Sequence, residues 1–166
     1  MKSPHPYNRA KLHPQLGLTL IEIMVTLAVV AITLSLGVPS FQGMVSSNRM
    51  STTANSLISA LNVARSEAIK RAARVNVVAT SASTNWATGW KVQVNSNSEV
   101  IKSFDPITGM QVTGSSTQYQ FLPTGFFSLT AAEEIKICDA STTGETGRTI
   151  TISISGRFSV ANTTCS

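Results

Sequence analysis

Gly17-Leu18-Thr19-Leu20-Ile21-Glu22 opens an apolar run whose reading decides the architecture of the whole chain. From Leu18 to Val38 there are 21 residues and a single charge, Glu22. At about 1.5 Å per residue such a helix is roughly 31 Å long, close to the hydrocarbon thickness of a bilayer. An ordinary export signal has a shorter apolar core, roughly 7–15 residues, and is cut on its far side at small residues. Here the small residue, Gly17, stands before the run and follows a basic stretch carrying Lys2, Arg9 and Lys11. That order predicts a cut ahead of the helix, which then stays on the mature chain.

A carboxylate at the fifth position of that helix needs an explanation. An ionised group in lipid costs several kcal/mol, so intramembrane acids usually have a partner. After a cut at Gly17, the new amine of Leu18 lies one helical turn from Glu22. It can pair within the chain or, in a bundle of like helices, with a neighbour's Glu22. The plainer alternative is a membrane anchor with an acid near the interface.

At these residues the sequence resembles the class III signal of type IV pilins and type II secretion pseudopilins. The resemblance rests on Gly17, on Leu18–Glu22, on the apolar helix and on Pro39. It implies that a prepilin peptidase cuts after Gly17 and N-methylates Leu18, and that Glu22 guides assembly into a filament. Leu18 is a departure, because the family usually has Phe there.

The 166 residues suffice for one domain and an anchor. The net charge of +5 is partly misleading. Three of the 13 basic residues lie in the first 17 positions, which hold no acid, so the mature chain has a net charge of only +2. Such a balance argues weakly for a polyanionic partner. A basic leader before an apolar helix fits instead the positive-inside rule. The two cysteines, Cys138 and Cys165, lie in the exported part without metal-ligand spacing and read as one disulfide. The bridge closes a loop of about 28 residues, worth roughly 3.5 kcal/mol in the chain-entropy model. Two unpaired thiols are the alternative.

Pro39 predicts a bend near residues 37–40 rather than a helix end. Beyond it a polar helix continues. Leu57, Leu61, Ala64, Ala68 and Ala72 then recur at spacings of three and four as one stripe of mostly small residues. Such a stripe lets a helix lie close against a sheet. After Arg74 the chain turns β-prone. Strands are predicted over Arg74–Thr80, Gly89–Asn95, Glu99–Phe104, Tyr119–Leu122, Glu134–Cys138, Arg148–Ser155 and Arg157–Ala161. Turns are predicted at Asn95–Ser98, Pro123–Gly125, Ser141–Gly147 and Ser155-Gly156.

Several of these stretches resemble the GspH/FimT-type minor pilins and pseudopilins, one branch of the pilin family. They are Ala64-Arg65-Ser66-Glu67-Ala68-Ile69, Trp86 through Gly89-Trp90, Phe121-Leu122-Pro123-Thr124-Gly125, Ile135-Lys136-Ile137-Cys138 and Ile154-Ser155-Gly156-Arg157. Each alone is a weak pattern; in this order they cover most of the chain.

Catalytic chemistry is poorly represented. Both histidines, His5 and His13, lie in the leader, so the mature chain has none to serve as base or metal ligand. Glu133-Glu134 read as solvated strand residues. Gly144-Glu145-Thr146-Gly147 lacks the following Lys and hydroxyl of a phosphate loop and reads as a hairpin turn. The protein is not expected to be an enzyme, and neither cofactor nor metal is expected. Lys70, Arg71 and Arg74 read as cations at a helix C-terminus. Some members of the resembling family bind DNA through a C-terminal Gly-Arg-x-Arg motif. Here Gly156-Arg157-Phe158-Ser159 keeps the Gly and the first Arg only. Arg157 with Arg148 makes a candidate DNA contact, but so few phosphate contacts add little affinity.

The expected fold class is α+β and pilin-like: a long N-terminal helix, transmembrane in its first half, packed on a C-terminal antiparallel β-rich head. Its divisions are a cleaved cytoplasmic leader (1–17), a transmembrane or filament-core helix (18–38), a periplasmic half-helix (39–73) and the head (74–166). The expected function is that of a minor pilin at or near the tip of a type IV pilus, supporting its assembly. The alternatives are a pseudopilin of the type II secretion system and a DNA-binding minor pilin for natural transformation. The expected location is the bacterial inner membrane, single-pass with a periplasmic head, and then the filament. The expected partners are other pilin or pseudopilin subunits, prepilin peptidase and the inner membrane; DNA is not favoured.

Overall fold

The computed structural model describes residues 17–128, 131–141 and 146–165, excepting the side chains of residues 36–40. Among the described residues one α-helix, α1 (Leu20–Arg71), precedes eight strands. The chain forms two compact units, Met1–Phe41 and Gln42–Ser166.

In the first unit α1 is apolar on every side, with Leu20, Ile21, Met24, Leu27 and Ile32 all exposed. Its few hydroxyls fold back onto the helix. Thr26 Oγ1 donates to the Ile23 carbonyl at 2.9 Å, Thr33 Oγ1 to that of Val29 at 2.8 Å and Ser35 Oγ to that of Ile32 at 2.8 Å. These three hydroxyls are thus satisfied within the helix itself. Among the described residues no helix is long and apolar enough to cross a membrane. The described side chains of this run stop at Ser35, short of Val38. The bend expected at residues 37–40 also falls on side chains outside the described set.

In the second unit α1 buries the stripe Met50, Ala54, Leu57, Ala60, Leu61, Ala64 and Ala68. The alanines let the backbone approach the strands, while Leu57 and Leu61 are each worth about 1.5–3 kcal/mol by burial. Ala72, expected on this stripe, is exposed. The helix ends at Arg71, and Ala72 turns the chain with a φ of 47°.

The strands are β1 (Val75–Ala79), β2 (Trp90–Val94), β3 (Val100–Phe104), β4 (Met110–Gly114), β5 (Gln118–Phe121), β6 (Glu133–Asp139), β7 (Thr146–Ile152) and β8 (Phe158–Thr164). They make two antiparallel four-stranded sheets, ordered β3-β2-β1-β5 and β4-β6-β7-β8. The chain crosses between sheets three times, at β3–β4, β4–β5 and β5–β6. Trp86, Trp90, Tyr119, Phe121, Ile135 and Ile150 from both sheets and their connections are buried in one core with the α1 stripe. Trp86 stacks on Tyr119 at 4.9 Å and its Nε1 donates to the Ser116 carbonyl at 3.0 Å.

Several expectations are corrected. Strand β4 was not anticipated, although Met110 and Val112 alternate with Gln111 and Thr113 in a buried–exposed pattern. The turn expected over Ser141–Gly147 gives way earlier: Thr146 and Gly147 already belong to β7, paired with Thr164 and Thr163. Residues 142–145 lie outside the described set. β7 ends at Ile152 rather than Ser155, and β8 continues past Ala161 to Thr164. Glu133 is half-buried, and its carboxylate accepts from the hydroxyls of Ser115 and, at 3.3 Å, Ser116.

Candidate assembly and processing site

The helix start is built from Gly17 upward. Gly17 and Leu18 are exposed, and a side chain on Gly17 would meet nothing within 4 Å among the described residues. Leu20 is the first helical residue, which makes Thr19 its N-cap. Thr19 Oγ1 accepts from the backbone N–H of Glu22 at 3.3 Å, half of a capping box. Thr-x-x-Glu before an apolar run is a sequence signature of a helix start, and Thr19 is the capping residue that motif reading passed over. Glu22 thus sits in the first turn, where a negative charge suits the helix dipole. Its carboxylate has no hydrogen-bond or ion-pair partner among the described residues. The surface it heads is apolar and uncovered among the described residues, with Leu18 72% and Leu20 78% exposed.

At the other end of the chain Cys138 and Cys165 are joined in a disulfide with a Cα separation of 5.8 Å. Cys138 is on β6 and Cys165 follows β8, so the bond spans the strand between them, β7. Gly147 makes this span feasible. A Cβ there would lie 2.6 Å from the Ile137 carbonyl oxygen and 3.0 Å from Cys138 Sγ, and closer still to Cys165 Sγ. Next to the bridge, Asp139 accepts from the hydroxyl of Ser46 on α1 and from Ser141 N–H at 2.8 Å. The Ser141 and Ser46 hydrogen bonds hold its carboxyl below the usual carboxylate range.

The cations at the end of α1 are ion-paired. Glu67 accepts from Lys70 Nζ at 3.1 Å and Arg71 Nε at 3.0 Å, and Arg71 Nη1 reaches Glu99 at 2.9 Å. Arg71 lowers the pKa of both carboxyls. Arg74 donates to Gln120 Oε1 at 3.4 Å. Arg148 and Arg157 are not brought together. Arg148 is half-buried under α1, donating to Ser51 Oγ at 3.4 Å, and pairs across the ladder with Asn162. Arg157 is exposed at the opposite end of the β7–β8 hairpin, about 17 Å further along the ladder.

Comparison with known proteins fits this geometry. A model of the family described as type II transport protein GspH matches residues 53–156, more than half of the chain. The chain belongs to the GspH family. A prokaryotic N-terminal methylation motif matches residues 12–38 of this GspH-family protein, bracketing Gly17, Leu18 and Glu22. Comparison with curated proteins gives no significant match. Among solved structures, the type IV minor pilin FimU of Pseudomonas aeruginosa, in a P21 crystal form, is similar with a TM-score of 0.61 at 21% identity. The match covers 71% of this chain and 92% of FimU. A P65 form of FimU gives a TM-score of 0.58 at 22% identity, covering 67% and 91%. At this identity the likeness concerns the fold: the GspH-family chain has the pilin architecture of a long helix on antiparallel sheets.

Proposed function

We propose that this GspH-family protein is a minor pilin, inserted in the bacterial inner membrane by residues 18–38 and incorporated at or near the tip of a type IV pilus. The observation that carries the proposal is the methylation motif running into an apolar helix that the described residues leave uncovered, with Glu22 in its first turn unpaired among them. A helix apolar all round belongs in lipid or in a bundle of like helices, and filament assembly moves it from one to the other. In this reading prepilin peptidase removes residues 1–17, methylates Leu18 and so places an amine one turn from Glu22. The head remains periplasmic, its C-terminal strand secured by the Cys138–Cys165 bond.

A second reading, a pseudopilin of a type II secretion system, is favoured by the description of the matching family and uses the same subunit physics. The gene neighbourhood separates the two machines. DNA uptake finds less support, since Arg148 is engaged with Ser51 and stands apart from Arg157.

Mass spectrometry of the mature protein tests the proposal. An N-terminus at methylated Leu18, together with recovery of the chain in sheared filaments, is the expected result. An N-terminus downstream of Val38 would identify an ordinary signal peptide and end the filament reading.

A further inference from the structure

A groove of about 590 Å³ runs along α1 where the helix faces the connection between β3 and β4. Its walls all belong to the second compact unit. Val45, Pro106, Ile107 and Met110 line it with apolar surface, while Arg49 and Thr53 stand one turn apart on the same face of α1. Arg49 is exposed, and among the described residues its guanidinium has no ion-pair or hydrogen-bond partner. It lies beside Gly109, where a Cβ would come within 3.6 Å of Arg49 Nη1. Asp139 feels this charge, but its carboxylate is already taken up by Ser46 and Ser141. Thr53 is only 4% exposed, and its hydroxyl also lacks a partner among the described residues. On the same helix Ser51 instead turns its hydroxyl back to the Ser47 carbonyl at 3.0 Å. A polar group as buried as Thr53 is normally hydrogen-bonded.

These two unused donors, one of them a cation, call for an anion with two acceptor oxygens, which a carboxylate supplies. The apolar walls call for a hydrocarbon neighbour beside it. With Thr52 and Pro106 exposed on its rims, the groove is open to side chains projecting from another surface. From Gln42 onward the chain has ten basic and seven acidic residues. Its net positive charge therefore attracts an acidic partner and disfavours a second copy of itself. We infer that this groove docks an Asp or Glu side chain of an acidic neighbouring subunit, with the apolar residue next to that acid seated against Ile107 and Met110. The carboxylate accepts from the Arg49 guanidinium and the Thr53 hydroxyl. The inference rests on the filament reading above.

The test uses the full-length chain expressed in its own host, with p-benzoylphenylalanine at position 52 on the groove's rim. Photo-cross-linking in sheared filaments should join the chain to a different subunit, at a segment where an acid adjoins an apolar residue. Arg49→Glu should leave membrane level and the disulfide unchanged and lower the cross-link about tenfold, since a charge-paired anchor is lost. Changing the partner's acid to Arg should restore it in that background. Thr53→Val keeps the shape and should weaken the cross-link without lowering thermal stability, because no hydrogen bond within the chain is removed. A cross-link that withstands Arg49→Glu would overturn the site. A cross-link to a second copy, to lipid or to a segment without an acid would overturn the choice of occupant. Wild-type chain present in filaments with no cross-link from position 52 would overturn the docking alone. Its absence from filaments would instead overturn the filament reading.

Discussion

Arg65 on α1 donates from Nη1 to the carbonyl oxygen of Gly156 at 2.9 Å, tying the helix to the turn between β7 and β8. The same guanidinium faces a second turn: a Cβ on Gly125 or on Gly156 would each lie 3.4 Å from Arg65 Nε. Both glycines have positive φ, 80° and 73°, and a Cβ on Gly156 would be 2.6 Å from the Gly125 carbonyl oxygen. Three of the short stretches that resemble the minor pilins, each weak alone, therefore meet at one point. The Gly of the Gly156-Arg157 match is accounted for by this packing.

Replacing Arg65 by Met keeps much of the aliphatic stem and removes the donor, leaving a buried carbonyl unpaired. Denaturant unfolding of the variant should show a loss of about 1.5–3 kcal/mol. Arg65→Lys should recover little, because a single ammonium cannot reproduce the fork that faces both turns. Wild-type stability for Arg65→Met would mean that the turns hold themselves.

Gly147→Val puts a branched side chain where the Cys138–Cys165 bond passes. Free thiol in the folded variant should rise from none to a large fraction, with stability lower by roughly 2–4 kcal/mol, the usual worth of a disulfide. Quantitative thiol labelling before and after denaturation reads the outcome. A fully oxidised variant would contradict the geometry.

Stability should fall in acid. The carboxyls of Glu67, Glu99 and Asp139 titrate lower in the folded chain than ordinary carboxylates, because Arg71 and the hydroxyls of Ser141 and Ser46 favour their charged forms. A depressed folded pKa gives stability that is present above the unfolded value, about 4, and is lost as pH falls through the folded one. Thermal unfolding between neutral pH and pH ~2.5 should show this decline. Glu67→Gln should flatten it, and added salt should shrink the effect of the exposed pairs. An unchanged slope in Glu67→Gln would remove that carboxylate from the account.

Glu22→Gln separates charge from capping. Gln at the third helical position serves a capping box as well as Glu does, so helix initiation and membrane insertion should be unimpaired. Removing one member of a buried ion pair typically costs about 3–5 kcal/mol. If the carboxylate meets a Leu18 amine in the filament, the variant should accumulate in the membrane and be scarce in sheared filaments. Normal incorporation would make Glu22 a capping residue and nothing more.

What the sequence alone determined is what local periodicity encodes. The apolar run from Leu18 with its single acid, the Leu57–Ala68 stripe and the alternating Trp90–Val94 strand were all legible, because helix and strand each repeat within a few residues. Even there a signal was passed over, in the alternation of Met110–Gly114 and the cap at Thr19. Only the tertiary structure decided that eight strands divide into two sheets, with β4 and β5 each exchanged into the other's neighbourhood. Strand partners are chosen by which faces can bury Trp86, Tyr119 and Phe121 together against α1, and no local pattern carries that information. The same holds for Arg65 meeting Gly125 and Gly156, and for Gly147 clearing a path for the disulfide. Gly125 and Gly156 are 60 and 91 positions from Arg65, and Gly147 is nine from Cys138 and 18 from Cys165; they become neighbours only when the core closes.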